Sequence, residues 1–508
     1  MISRRKFLSS ISLSSAALYS GMDPYFFAAE QTLNELQIPP QDLGTLDQSA
    51  RAFQLSLQQG IKSFHAGLET ETLGINGAYL GPTLRFNRGE RVSLAVSNRI
   101  REASSLHWHG FHLPATEDGG PHQVIENGDT WNANFEVVQF AGTFWYHSHM
   151  EESSGEQVYR GLAGLIIIED DDENLELPNT YGVDDIPLIV QDRRFNEDGS
   201  FSYMDTYDDL VIGVQGTDVL VNGTINPMFA PSTRLVRFRI LNAANARTFD
   251  FALSNGQAFQ QIASDGGLLE APITQTSLQL APAERAEILV EFNGQEPFNL
   301  ISRGRTPSFP FFPGAMSELM RSLNSQELQI LNLRPSSTLE ASPTVPPQLA
   351  SIYQLPAAAA ENTRQFQLSM GAGMRSGNDA GPGTGARSGL GGGHGRGNYF
   401  INGRRMDMEY INERIPLNTT EIWELSNNSP MMHPFHIHNG QFQLLDRNGN
   451  PPPANERGWK DTVKVGSGER VRIIMRFTDF VNEENPYMYH CHILEHEDRG
   501  MMGQFVVV

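Results

Sequence analysis

The sequence predicts an all-β protein built from three related β-sandwich domains in series. Three stretches carry the prediction: INGAYLGPTLRFNRGERVSLAVSN (Ile75 to Asn98), VNGTINPMFAPSTRLVRFRILN (Val221 to Asn242) and INGRRMDMEYINERIPLNTTEIWELSN (Ile401 to Asn427), which start 146 and 180 residues apart. Each opens on an aliphatic residue followed by Asn-Gly, a hairpin-turn signal, and closes on an alternating strand that ends in Asn. Between them lie short β-branched or aromatic runs, such as Leu165 to Ile168, Ile288 to Phe292, Val471 to Phe477 and Gln504 to Val508, separated by Gly, Pro, Asn and Asp. That rhythm is the one expected of antiparallel sandwiches. Length agrees, since 508 residues at roughly 150 per domain make about three domains.

Along the chain, residues 1–29 read as an export signal. Arg4-Arg5-Lys6 precedes an apolar Ser/Ala-rich stretch that runs to Tyr19, with cleavage expected near Ala28-Ala29. An arginine pair in that place resembles the twin-arginine signal, which predicts the twin-arginine export machinery as a partner and a periplasmic or otherwise exported location. The apolar stretch falls short of the about 20 residues a stable membrane span needs. The first sandwich is expected over 44–178, the second over 184–335 and the third over 362–508, with a Pro/Ala/Ser-rich linker over 336–361. Within the third, Gly371 to Gly397 is too poor in apolar residues to pack and reads as a mobile loop. A short helix is expected over Ala315 to Leu323, where Met316, Leu319, Met320 and Leu323 recur at helical spacing.

Charge excludes some partners. With 59 acidic and 37 basic side chains the chain carries a formal charge of -22, which argues against nucleic acid and anionic membrane surfaces.

Histidines hold most of the chemical information. There are 14, and none falls between His149 and His394. They gather as HWHGFH (His107 to His112), HSH (His147 to His149), HPFHIH (His433 to His438) and HCHILEH (His490 to His496). Alternate residues of a strand share a face, so each His-x-His presents two imidazoles side by side. The four pairs His107/His109, His147/His149, His436/His438 and His490/His492 are split between the first and third domains and converge if those domains abut. Imidazoles alone suit copper, zinc, iron or nickel.

Cys491 is the only cysteine, so it forms no intrachain disulfide. Its side chain should point away from those of His490 and His492, which lets one segment face a metal on each side. His433, His496 and Met501 are placed to join it. Two imidazoles, a thiolate and a weak thioether describe a blue-copper electron-transfer site. The competing readings are a structural zinc site, which usually takes four strong ligands, and an inert buried cysteine.

HWHG, WYHSH, HPFHIH and HCHILEHEDRGMM resemble, in order and spacing, the four copper-binding motifs of the multicopper oxidases. The likeness covers the chain after the signal and is greatest to the bacterial three-domain branch of copper-efflux (cuprous) oxidases and bacterial laccases, to which GLAGLIIIEDD (Gly161 to Asp171) and GWKDTVKV (Gly458 to Val465) are also similar. It implies three cupredoxin-like Greek-key sandwiches and four copper ions per chain. A type 1 copper would lie on His433, Cys491, His496 and Met501, a type 2 copper on His107 and His436, and a type 3 pair on His109, His147, His149, His438, His490 and His492. Electrons taken singly from a donor would pass by way of Cys491 to the cluster, where dioxygen becomes water. Asp118 and Glu497 match positions given proton-delivery roles in the similar cuprous oxidases. His65, His112, His122 and His394 match no ligand position.

For the donor the resemblance offers an aromatic molecule or Cu(I). Met431 matches a methionine that contacts substrate copper in the cuprous oxidases, but Ser429 stands where their aspartate would be, and the Gly-rich loop keeps only Met374. The expectation is therefore a laccase-like oxidase of phenols or aromatic amines, acting as a monomer. The alternatives are a cuprous oxidase and a copper-free structural or cell-division relative.

Overall fold

In the computed structural model, residues 32–47, 49–170, 175–294, 296–305, 314–371 and 399–508 are described. The export signal, and all but the first residue of the Gly-rich loop, including Met374 and His394, lie outside them. Strands dominate, and six sheets pair into three sandwiches, each around its own apolar core.

Every sandwich repeats the same local chemistry at the ends of the three stretches. The turn asparagines Asn76, Asn222 and Asn402 adopt left-handed backbones (φ 56°, 52° and 53°), a conformation Asn tolerates better than most residues. Each clamps a neighbouring strand: Asn76 Oδ1 accepts from Ser56 N and its Nδ2 donates to Gln54 O, while Asn222 pairs with Ile189 N and Pro187 O, and Asn402 with Gln367 N and Gln365 O. The closing asparagines Asn98, Asn242 and Asn427 are buried. Each accepts from the amide two residues on and donates to a carbonyl distant in sequence, Ile125, Leu280 and Val465 respectively. A buried amide side chain satisfied at both ends fixes the strand exit in all three.

The sheets are mixed where the sequence rhythm suggests antiparallel ones. Ala50–Lys62 pairs in parallel with Arg91–Asn98, Asp185–Arg193 with Leu235–Asn242, and Asn362–Met370 with Thr419–Asn427. Long crossovers between the partners, which visit the opposite sheet, permit this pairing. The expected helix is present as Gly314–Asn324. No helix among the described residues is long and apolar enough to cross a membrane.

Two strand pairs position the site. In the first sandwich His107–His109 is a sheet-edge strand antiparallel to Gly142–His147, with His107 opposite His147. In the third, His433–Ile437 runs antiparallel to Asn482–Cys491, with His436 opposite His490 and Phe435 opposite Cys491. Period-two alternation thus turns His436 and His490 to one side and Cys491 to the other.

Candidate metal centre

The eight paired histidines are buried and lie together where the first and third sandwiches meet. His107 stacks on His438 at a ring separation of 3.9 Å, and His109 on His436 at 3.6 Å, each pair joining the two sandwiches. Their nitrogens fall into three triads whose donor atoms lie within 4.8 Å of one another: His107, His109 and His436; His109, His147 and His492; His149, His438 and His490.

Seven of the eight rings have one nitrogen within 3.4 Å of an oxygen. His107 Nδ1 faces Asp118 O (2.8 Å), His147 Nδ1 faces Ser148 O (2.8 Å), and His436 Nδ1 faces Asp461 O (2.8 Å). His438 Nδ1 meets Asp118 Oδ2 (2.7 Å), while Glu497 lies between His149 Nδ1 (3.4 Å) and His490 Nδ1 (3.0 Å). His109 is reversed: its Nε2 faces Asp461 Oδ1 at 3.1 Å. The opposite nitrogens of His107, His109, His147 and His436, and both of His492, are buried without a hydrogen-bond partner. Those of His149 and His438 approach His490 Nε2 at 3.2 and 3.3 Å. Buried polar atoms left unpaired in such number are rare. A carboxylate or carbonyl on one imidazole nitrogen with the other nitrogen bare is the arrangement of metal-bound histidine.

On the other side of the segment, His433 Nδ1 is 3.3 Å and His496 Nδ1 3.8 Å from Cys491 Sγ, and the two nitrogens are 3.4 Å apart. Their outer nitrogens are occupied, His433 Nε2 by Ser429 Oγ (2.7 Å) and His496 Nε2 by Val211 O (3.1 Å). Tyr399 stacks on His496 at 4.2 Å. His496 sits in the single helical turn Leu494–Glu497. Met501 is fully buried in the same core, its carbonyl accepting from Cys491 N at 3.0 Å. This donor set, soft sulfur with imidazole on one side and imidazole alone on the other, fits copper in both places.

Burial holds His107, His109, His433, His436, His438 and His492 well below the usual 6.5 of a histidine, and takes His147 and His496 down to about 3. It also pushes the Cys491 thiol up. Those imidazoles are therefore neutral and ready to ligate, whereas the thiol ligates only once the metal displaces its proton. A pH dependence follows. The unfolded chain binds protons near pH 6.5 that the fold refuses, so metal-free protein is most stable above that value and weakens as pH falls below it. Urea midpoints of metal-free protein should drop between about pH 7.5 and about pH 5; equal midpoints would contradict it.

Two cavities adjoin the site. One, of about 560 Å³, is walled by Glu151, Tyr203, Met406, Glu495, Glu497 and Asp498. The other, of about 440 Å³, is lined in part by Met320, Met431, Met432, Ile493, Arg447 and Lys464. Met431 is nearly fully buried. His65 lies 3.9 Å from Asp218, His112 bonds Asn439 O and Asp479, and His122 bonds Gln504.

Sequence reasoning missed Asp461 and Arg285. Asp461 lies inside GWKDTVKV, where an acid beside the strand Thr462–Val465 was a discernible hint. A single arginine opening the strand Arg285–Glu291 offered none.

Family models described as multicopper oxidase match residues 57–173, 173–308 and 382–508. The chain belongs to the multicopper oxidase family and is an oxidoreductase with a three-domain cupredoxin-like fold. Among individual relatives it is 34% identical to multicopper oxidase mco of Staphylococcus haemolyticus, over 94% of each chain. It is 35% identical to cell division protein FtsP of Edwardsiella tarda, over 100% of this chain and 99% of that one. The solved structure of the laccase-like multicopper oxidase CueO from a lignin-degrading Ochrobactrum superposes with a TM-score of 0.80 at 33% identity, covering 93% of this chain and all of the other.

Proposed function

We propose that the protein holds four copper ions and is a laccase-like oxidase that takes electrons from phenols or aromatic amines and delivers them to dioxygen. The observation that supports this most is the double set of buried, inward-turned donor atoms either side of Cys491. Type 1 copper falls to His433, Cys491, His496 and Met501, type 2 copper to His107 and His436, and the type 3 pair to His109, His147 and His492 on one side and His149, His438 and His490 on the other. Copper held there would supply one-electron redox chemistry, four electrons and four protons being needed to turn each dioxygen into two waters.

The chain's own residues do the rest. Covalent bonds of the His490-Cys491-His492 segment join the two donor sets. Burial excludes water from both. Glu497 reaches from the 560 Å³ cavity to His149 and His490, and Asp118 touches His438 and His107, so these two carboxylates are placed to hand protons inward. Ser429 gives His433 a neutral partner where a carboxylate would favour a bound cation. The activity toward lignin model compounds described for the Ochrobactrum oxidase agrees with an aromatic donor.

A cuprous-oxidase reading has its own support: Met320, Met431 and Met432 line one cavity, and thioethers suit Cu(I). The likeness to a cell division protein favours the cell-division alternative, but a copper-free form of it has the complete donor set against it. Export by the twin-arginine route completes the proposal and is read from Arg4-Arg5. Oxygen uptake by copper-loaded protein separates the readings. Dimethoxyphenol should support turnover without added Cu(II). No uptake with the phenol beside ready oxidation of Cu(I) would overturn the laccase assignment in favour of the metallo-oxidase, and a chain that takes up no copper would overturn both.

A further inference from the structure

We propose that Arg285, in the sandwich that carries no ligand, is a positioning residue for the histidine cluster, acting through Asp461 to set the ring of His109. The inference rests on the copper reading above. Arg285 is fully buried and grips Asp461 with both arms of its fork, Nη1 to Oδ1 at 2.7 Å and Nη2 to Oδ2 at 2.6 Å. The remaining donors are used too: Nε reaches Thr143 O (3.1 Å), Nη1 Ala283 O (3.1 Å) and Nη2 Asp265 O (2.9 Å). A planar guanidinium bound on every side fixes the carboxylate plane in a way a lysine does not.

That carboxylate is the partner of His109 Nε2, 3.1 Å away, and Thr462 Oγ1 lies 3.2 Å from the same nitrogen. An acceptor there keeps the proton on Nε2 and leaves Nδ1 as the donor turned toward the other imidazoles. The main-chain carbonyl of Asp461 meanwhile holds His436. One residue of the third sandwich, locked by one of the second, thus orients a ligand from the first and another from its own domain.

Gly110, directly after His109, gives independent support. Its φ is 87°, and a Cβ there would fall 2.3 Å from Asp461 Oδ2 and 3.1 Å from Arg285 Nη2. The turn after the ligand strand is shaped around the ion pair.

A merely structural role for the pair is separated by a control. Arg247 forms an equally buried pair with Asp192 (2.7 Å) within the second sandwich and touches no histidine of the cluster. Arg285→Lys and Arg247→Lys are compared as copper-loaded proteins by copper content, thermal midpoint, the blue thiolate band and the near-ultraviolet absorption of the coupled copper pair. Both variants should lose thermal stability. Only Arg285→Lys should weaken copper binding at the cluster, by about 10- to 100-fold, and lose the near-ultraviolet band while the blue band stays. If Arg285→Lys is recovered unfolded, Asp461→Asn, which keeps the shape but loosens the fork, should show the same selective spectral loss. Wild-type spectrum and affinity in the folded Arg285 or Asp461 variant, or the same cluster loss in Arg247→Lys, overturns the inference alone. A wild-type chain that binds no copper overturns the proposed function together with it.

Discussion

Cys491→Ser should give a colourless protein with one copper fewer per chain and turnover lowered more than ~100-fold, beyond the upper end of what losing a mere supporting contact costs. The sulfur is fully buried and forms a triangle with His433 Nδ1 and His496 Nδ1, 3.3 and 3.8 Å away. A serine oxygen is smaller, hard, and holds its proton more firmly than a thiol, so it neither ligates copper comparably nor provides the charge transfer that makes such a site blue. The fold should survive, because the change is nearly isosteric and Ile493 N, 3.4 Å from Sγ, can still donate to the new hydroxyl. Absorption spectra, copper analysis and circular dichroism on the same preparation check this. A variant that stays blue, or keeps four coppers, would remove Cys491 from the proposed centre.

Glu497→Gln should slow oxygen turnover by roughly 10²-fold while leaving the blue band and its reduction by donor intact, the lower end of what a positioned acid or base contributes. Glu497 is the side chain that both lines the 560 Å³ cavity and touches two cluster histidines. Glutamine preserves the volume and an acceptor oxygen but carries no exchangeable carboxyl proton. Stopped-flow reduction followed by reoxidation in oxygenated buffer separates the halves of the cycle. Slowed reduction with normal reoxidation would place the role of Glu497 elsewhere.

The site was legible in the sequence to the extent that strand geometry is. His-x-His has one meaning in an extended chain, so His107/His109 and His490/His492 declared their shared faces, and the residue between His490 and His492 declared the opposite one. The Asn-Gly turns and the terminal asparagines were visible for the same reason: each solves a local backbone problem with a local side chain. What could not be read were partners fixed by tertiary approach. Asp461 meets His109 across 352 residues, and Asn245 joins Gly155 O to Glu495 Oε1 across 90 and 250. No period or turn signal encodes such separations. The parallel pairings were hidden likewise, because alternation tells which face is apolar and not which way a neighbour runs.

The stacking of His107 on His438 and of His109 on His436 means that the ion pocket does not exist in either outer sandwich by itself. Affinity at the eight-histidine pocket is then a property of the finished chain: whatever binds only the assembled form draws the population toward it by mass action. Loading of the cluster would thereby act as a proofreading event, in which a polypeptide whose ends have failed to dock lacks the eight-histidine pocket and, without that added hold, is the copy most open to proteolytic disposal.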